Sequence, residues 1–433
     1  VGENELADVI AKLQANAGYF VSKEGRFYQF DKKFDGLKSA LKELDDHFVI
    51  TGNSITVNAN RSFQVSKIFE HVAGTSFSEK FTSFFNDLTH PENFQYEKPA
   101  HIKAHLRTYQ EVGVRWMKML THYSLGGILA DDMGLGKTVQ AITYLLSSLT
   151  ENETALITAP ASLTYNWASE FEKFTDTVDF VVVDGIKAER DVIIGEKHQV
   201  YITSYGSFLK DFDAYQEKKL TYLLLDEAQY VKNYSSKTNK VLSALNVEHT
   251  FAISGTPLEN RLEEIWAIFQ VVMPGFLPPR DKFNKMQAPA IARMLHPFIM
   301  RRKKEDVLEE LPDKMESTLF NQLADDQKII YMAQLELMQQ KVSAMDSREL
   351  SKSRIEILAG ITRLRQICNP HALFMDEYKG KSGKLERLRE LLEQIKDSGH
   401  RPLIFSQFTR VFPFIEKMMR ELGLSAYKLT GST

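Results

Sequence analysis

The residues with the clearest chemical use lie in one stretch that opens at Gly126, GGILADDMGLGKTVQAITYLL. An apolar run from Gly127 to Ala130 breaks into a turn carrying Gly134 and Gly136. Lys137 and Thr138 then open a segment with Val139, Ile142, Leu145 and Leu146 at helical spacing. The pattern predicts strand, loop and helix: glycines let backbone N–H groups crowd around phosphate oxygens, and the helix adds its unsatisfied amides and positive dipole end. Lys137 would reach the β and γ phosphates of a nucleotide, and the Thr138 hydroxyl would ligate Mg²⁺. The strict spacing G-x-x-x-x-G-K-[ST] is not met, because Asp131 stands where its first glycine would be. A second stretch, TYLLLDEAQ, delivers Asp226 and Glu227 to the end of an apolar run. There the first carboxylate can hold the water shell of Mg²⁺ and the second can orient and deprotonate an attacking water. Alone, such an acid pair also suits a solvated loop; beside the phosphate loop it points to ATP hydrolysis.

These groups need a scaffold that presents loop ends together. From His101 to about Met300, short apolar runs alternate with helical patterns. GGILA, ALITA, FVVV, VYITS, YLLLDE and FAIS read as strands of a mostly parallel sheet. Asp131, Thr158, Ser204, Asp226 and Ser254 fall at their carboxyl ends, the edge where doubly wound sheets hold ligands.

The flanking regions read differently. Residues 1–95 suggest a small α+β region: hairpins in GYFVSKEGRFYQF, turning at Lys23 to Gly25, and in FVITGNSITVNA, turning at Gly52-Asn53, with an amphipathic helix between them marked by Phe34, Leu37, Leu41, Leu44 and Phe48. This region suits an accessory or protein-docking module; a base-stacking role for Tyr19, Phe20, Phe27 and Tyr28 is the alternative. After Gly275, prolines at 274, 278 and 279 end the sheet pattern. RRKKEDVLEE has the composition of a solvated helix face. Helices are predicted at Gln327 to Val342 and at Arg354 to Ile367, with Ile355, Leu358, Ile361, Leu364 and Ile367 as core and Asn369-Pro370 as a stop. A second α/β unit opens at about Gly380, with KLERLRELLEQI and VFPFIEKMMRELG as helices and RPLIFS and SAYKL as strands.

Bulk properties agree with a multi-domain globular chain: 433 residues, of which 43% are hydrophobic. A net charge of −3 gives no overall basic signature, so any nucleic-acid surface must be local. The single cysteine, Cys368, excludes an internal disulfide framework, and no Cys pair or H-E-x-x-H offers a metal cage. No apolar run approaches membrane-span length, and VGENELADVI shows neither a signal-peptide pattern nor an initiator Met. The expectation is a piece of a longer intracellular polypeptide, cytoplasmic and nucleoid-associated or nuclear, with no membrane partner.

The ordered blocks LRTYQEVGVRW, DDMGLGKT, APASLTYNWASEF, ITSYGSF, DEAQYVKN, SGTPLEN, FIMRRKKEDV, LRQICNP and LIFSQFT, running from Leu106 to Thr409, resemble the Swi/Snf family of superfamily-two helicase-like translocases. Helicases of this superfamily keep only the later glycines of the loop, which accounts for Asp131. The resemblance implies that Gln110 reads the adenine edge through its amide, a task that needs a paired donor and acceptor. It implies that Gly134, Gly136, Lys137 and Thr138 hold the phosphates, and that Gln229, Ser254, Gly255 and Thr256 link the nucleotide state to lobe movement. Gln229 stands where many relatives have His. Small hydroxyls in SGTPLEN could also serve as plain helix caps. Ser162, Ser204, Lys232 and Asn233, with Ser406 and Gln407 further on, would contact the phosphate backbone of double-stranded DNA without reading its sequence. In the family, the region around RRKKEDVLEE carries helical protrusions that flank the DNA groove.

The implied architecture is an accessory α+β region over residues 1–95, a first RecA-like P-loop lobe over 96–300, a helical insertion and linker over 301–379, and the start of a second, truncated RecA-like lobe over 380–433. The implied function is an ATP-dependent double-stranded DNA translocase or remodelling motor using Mg²⁺. A strand-separating DNA or RNA helicase and a nucleotide-gated scaffold are the alternatives. The family's closing arginine motif is expected beyond Thr433, so these residues alone are expected to bind nucleotide and to hydrolyse it weakly or not at all.

Overall fold

The structure, a computed structural model, describes all residues except 1–4, 16, 31–33, 45–47, 52–53, 58–64, 66–68, 70–71, 73–75, 256–261, 308–315, 346–352, 371–381 and 432–433. The chain forms two compact units, Val1–Leu311 and Pro312–Thr433.

The first unit opens with two antiparallel hairpins, β1 (Tyr19–Val21) with β2 (Phe27–Gln29) and β3 (Phe48–Thr51) with β4 (Ser54–Val57). The first turns where predicted, with Gly25 at φ +80; the Gly52-Asn53 turn lies outside the described residues. The helix between them, Asp35–Leu44, stops short of Phe48. Phe48 instead starts β3 and pairs with Val57, because β-branched Val49 and Ile50 after it favour a strand. Helices Leu6–Gln14 and Glu79–Thr89 flank the hairpins.

The core of this unit is a seven-stranded sheet in the order β11-β5-β10-β9-β6-β8-β7. Its strands are β5 (Gly127–Leu129), β6 (Ala155–Ala159), β7 (Phe180–Val183), β8 (Val200–Ser204), β9 (Leu220–Leu225), β10 (Val247–Ile253) and β11 (Ile299–Met300). Every pairing is parallel. All six predicted strands form, and β11 adds a seventh that the short Ile299-Met300 pair did not advertise. Parallel strands need crossovers that cover both faces, which is why the central strands are continuously apolar and buried along their length. Helices Lys137–Leu146, Thr164–Phe174, Lys187–Gly195 and Lys237–Ser243 lie in those crossovers, and Leu262–Val272 follows β10. This is the RecA-like α/β fold. Because all strands run one way, all carboxyl ends share one edge. The loops after β5, β10, β9, β6 and β8 succeed one another along it.

In the second unit, helices Asp325–Ser343 and Arg354–Ile367 pack on each other. Buried Gln327 ties three segments: its amide donates to the carbonyls of Ile367 at 2.9 Å and Asn369 at 3.1 Å, and its oxygen accepts from the Gly383 amide at 3.1 Å. Leu364 and Ile367 are core as predicted, but Ile355, Leu358 and Ile361 are exposed, Ile355 at 82%. Two paired helices bury only the sides they turn to each other, and Ile355, Leu358 and Ile361 lie off that seam. Helices Gly383–Asp397 and Phe412–Glu421 form and share a small core through Val411 and Ile415. The predicted strands RPLIFS and SAYKL do not form. A strand exists through a hydrogen-bonded neighbour, and neither segment has one; Leu403, Phe405, Tyr427 and Leu429 are exposed. No helix among the described residues is long and apolar enough to cross a membrane.

The packing around β5 is tight enough to test. A Cβ at Gly126 would lie 2.4 Å from the Thr250 carbonyl oxygen and 2.7 Å from that of Val272. Both are backbone atoms that cannot swing aside. Gly126→Ala is expected to cost about 1–3 kcal/mol of stability through overpacking, read as a lowered urea midpoint, whereas Gly195→Ala, facing open space, should not.

Candidate functional site

The phosphate loop leaves β5 and turns on Gly134 at φ +85 and Gly136 at φ +73, both in the left-handed region that favours glycine. Gly136 is also the residue before helix Lys137–Leu146, so the turn sets that helix's free amides at the loop. Lys137 lies in its first turn with Thr138 beside it. The Lys137 ammonium donates to the carbonyls of Asp131 at 2.7 Å and Asp132 at 3.1 Å. Burial pushes its pKa down, while Asp131, Glu227, Asp226 and Asp132 pull it back up. Gln110 is seated against the loop: its amide donates to the Leu135 carbonyl at 3.1 Å, and its oxygen accepts from the Arg107 amide at 2.9 Å. A Cβ on Gly136 would meet Gln110 Nε2 at 2.4 Å. Gln110 Nε2 also lies 3.4 Å from the Tyr109 hydroxyl, so the side chain expected to read adenine is fixed at the loop and would exchange that long bond for a ligand.

Asp226 follows β9 in a half-buried setting with three supports. The Trp167 indole N–H donates to Oδ2 at 2.8 Å, the Glu227 amide donates to Oδ1 at 2.9 Å, and the Tyr205 hydroxyl donates to the Asp226 carbonyl at 2.7 Å. Burial raises the Asp226 carboxyl pKa above the usual range, and the Trp167 bond works against that rise. Glu227 sits at φ 50, uncommon for a non-glycine, and its carboxylate accepts from Gln229 Nε2 at 2.9 Å. Trp167 and Tyr205 were not singled out by the sequence, although both lie in quoted motif blocks.

Ser254 follows β10 in a buried position, and its amide bonds the Leu129 carbonyl at 3.0 Å. A Cβ at Gly255 would lie 3.4 Å from Lys137 Nζ and 2.9 Å from Met133 Cγ. Of the expected coupling residues, Ser254 and Gly255 thus adjoin the phosphate loop and Gln229 lies at Glu227; Thr256 lies outside the described residues. No cluster of three or more His, Cys, Asp or Glu that could hold a metal occurs among the described residues. Mg²⁺ takes one or two protein oxygens and completes its shell with phosphates and water. The half-buried Asp226 carboxyl and the Thr138 hydroxyl are the groups suited to it.

The exit segment after β11 supplies a feature that the charge run concealed. Arg302 is not on a solvated face. Its Nε donates to Asp131 Oδ1 at 2.9 Å, its Nη2 to Gln140 Oε1 at 2.8 Å, and its Nη1 to the Tyr109 carbonyl, with the guanidinium 5.3 Å from the Tyr109 ring. Asp131 is fully buried and the Arg302 side chain is 14% exposed. The signal that could have found this pair is the aspartate in place of the first loop glycine, a charge that needs a partner.

The SNF2-related domain family model matches residues 109–373, and the bacterial SNF2 helicase associated model matches residues 1–99. The chain belongs to the SNF2 family. Its members form helicase-like ATPases of superfamily two. A putative ATP-dependent helicase/translocase YwqA of Bacillus subtilis is 32% identical over 389 residues, 83% of this chain and 42% of that protein. The ISWI chromatin-remodeling complex ATPase ISW2 of Saccharomyces cerevisiae is 31% identical over 379 residues, 80% of this chain and 34% of that protein. Among solved structures, a Sulfolobus solfataricus SWI2/SNF2 ATPase core in complex with dsDNA is 31% identical, covers 76% of this chain and 73% of its own, and superposes with a TM-score of 0.48. The SNF2 chain spans between 32% and 42% of the length of the first curated relatives it matches.

In this SNF2 chain the candidate DNA contacts of the first unit lie in loops after β6, β8 and β9, beside the nucleotide site. Ser162 is exposed. Ser204 caps helix Tyr205–Lys210 by accepting from the Ser207 amide at 3.0 Å. Lys232 pairs with Glu264 at 3.3 Å, and Asn233 closes a turn by accepting from the Ser235 amide at 3.1 Å. In the second unit Ser406 accepts from the Phe408 amide at 3.2 Å, and Gln407 accepts from Arg365.

The Arg302 pair gives a stability test. Arg302→Met strands a buried carboxylate, and breaking one half of such a pair costs about 3–5 kcal/mol. Urea unfolding should show that loss, and the double variant Arg302→Met with Asp131→Asn should lose clearly less than the sum of the two single changes.

Proposed function

We propose that this chain carries the nucleotide-binding lobe of an ATP-dependent motor that moves along double-stranded DNA. The observation that carries the reading is that β5 and β9 flank β10 in one parallel sheet, so the loop with Lys137 and the residues after β9, Asp226 and Glu227, open on the same edge. The amides of the loop and of the helix it starts bind the phosphates, and Lys137 neutralises their charge. Thr138 and Asp226 would hold Mg²⁺, whose charge would offset that developing on the γ-phosphoryl oxygens. Glu227 orients the attacking water and accepts its proton, with Gln229 steadying the carboxylate. Ser254 and Gly255, beside Lys137, register the nucleotide state.

DNA enters along the same edge. Ser162, Ser204, Lys232 and Asn233 supply hydroxyl, amide and cationic groups of the kind that bind phosphates without reading bases. Relatives named as a helicase/translocase and as chromatin-remodeling ATPases support a polymer-tracking function. Residues 1–95 are a candidate protein-docking region.

Two measurements test the reading. Lys137→Ala should abolish nucleotide binding with the fold intact, while Glu227→Gln should still bind Mg-ATP but, in the full-length protein, lose about 10²–10⁴-fold in hydrolysis, the size of a general-base effect. Unchanged turnover in Glu227→Gln removes it from the base role. Duplex binding should be independent of sequence and fall linearly on a log–log salt plot, with about 0.9 counterion released per neutralised phosphate. A flat salt response, or stimulation of hydrolysis by single-stranded RNA and not by duplex DNA, would defeat the DNA part.

A further inference from the structure

The exit segment that carries Arg302 also carries an ammonium group that nothing in the proposed reaction uses. Lys304 is pinned to the phosphate loop by its backbone: its amide donates to Asp132 Oδ2 at 3.1 Å, and the Asp132 amide donates to the Arg302 carbonyl at 3.0 Å. Its side chain lies over the glycine turn, so that a Cβ built on Gly134 would be 3.3 Å from both Lys304 Cε and Nζ. A side chain at Gly134 would press on this ammonium, and the φ of +85 there favours glycine in any case. The neighbouring Lys303 is spent on Glu305 at 2.9 Å, but the Lys304 ammonium has no hydrogen-bond or ion-pair partner among the described residues. An unpaired cation held by its own backbone over a loop whose amides face anions is placed for a polyphosphate.

We propose that Lys304 is a second phosphate-binding cation, reaching the β or γ phosphate of a nucleoside di- or triphosphate from outside the loop while Lys137 reaches it from within. The proposal rests on the nucleotide-site reading above. It adds that bound polyphosphate joins the phosphate loop to the exit segment, so that loading the site is felt by the chain where it leaves the sheet. Neither Lys304 nor Lys303 touches the Asp131–Arg302 pair through its side chain, so the lobe's scaffold should survive changes at either.

The test is calorimetric titration of the protein with Mg-ADP and with AMP. Lys304→Ala should weaken Mg-ADP about tenfold, the low end for a hydrogen bond to a charged group, and leave AMP affinity and the urea midpoint as in the parent. Lys304→Arg, which keeps the charge, should restore most of the loss. Lys303→Ala, one residue away and equal in charge, should change neither ligand. An ADP affinity in Lys304→Ala equal to that of Lys303→Ala overturns the proposal, as does an equal loss for ADP and AMP. Lys137→Ala separates the two readings: if it weakens ADP while Lys304→Ala does not, the nucleotide site stands and the second cation falls. If neither change weakens ADP, the nucleotide site itself is wrong.

Discussion

A carboxylate without access to water ends the strand that carries the phosphate loop, and the arrangement around it follows from the need to answer that charge. Asp131 in the interior would cost far more than its share of the lobe's stability if left alone. Arg302 meets it from the exit segment, and in doing so also reaches Gln140 on the loop's helix and Tyr109 on the helix that bears Gln110. Three elements that hold the nucleotide loop are thereby referenced to one guanidinium. The same convergence leaves no room at Gly113, where a Cβ would sit 1.9 Å from Gln140 Oε1 and 2.9 Å from Arg302 Nη2. The residue that breaks the strict loop pattern is the anchor of the loop's support.

The all-parallel sheet adds the second constraint. With every carboxyl end on one edge, neighbouring strands must place neighbouring functions, and the order β5-β10-β9-β6-β8 puts the phosphate loop, the Ser254-Gly255 turn, the acid pair and the Ser162 and Ser204 loops in succession. Tyr205 shows how short the distances become: its hydroxyl holds the Asp226 carbonyl while its ring stacks on exposed Tyr230 at 5.1 Å and 4°. One side chain thus connects the acid pair's backbone to the surface where Lys232 and Asn233 lie.

The strands and the polar residues at their ends were legible because burial on both faces forces long apolar runs, and a run that stops at Asp131 or Asp226 declares its edge. What stayed hidden was of two physical kinds. Arg302 looked like one cation among four in RRKKEDVLEE, since composition cannot tell a charge that meets a buried partner from one that meets water. Trp167 is a buried aromatic whose N–H is directed at Asp226, a choice made by geometry between the elements after β6 and β9 that no local pattern encodes. The strands expected at RPLIFS and SAYKL fail for the converse reason: apolar alternation proposes a strand, but only a ladder partner makes one. Helix propensity needs no such partner, so Gly383–Asp397 and Phe412–Glu421 form where predicted.

Electrostatics explains why the acid pair and the lysine belong to one site. Lys137 is partly desolvated and must rest on carbonyl oxygens, which are weaker partners than an anion. Asp226 is desolvated as well, and its neighbours Trp167 and Glu227 offer only single N–H groups. Burial works against the charge on each, pushing the Lys137 pKa down and the Asp226 pKa up. They do not neutralise each other by direct contact, since Lys137's hydrogen bonds go to the loop carbonyls. A ligand that brings an anion to the lysine and a cation to the aspartate relieves both costs at once, and one that brings either alone relieves half. On the proposed function, a metal–polyphosphate pair is the ligand that answers both burials, because the two opposite charges are kept apart.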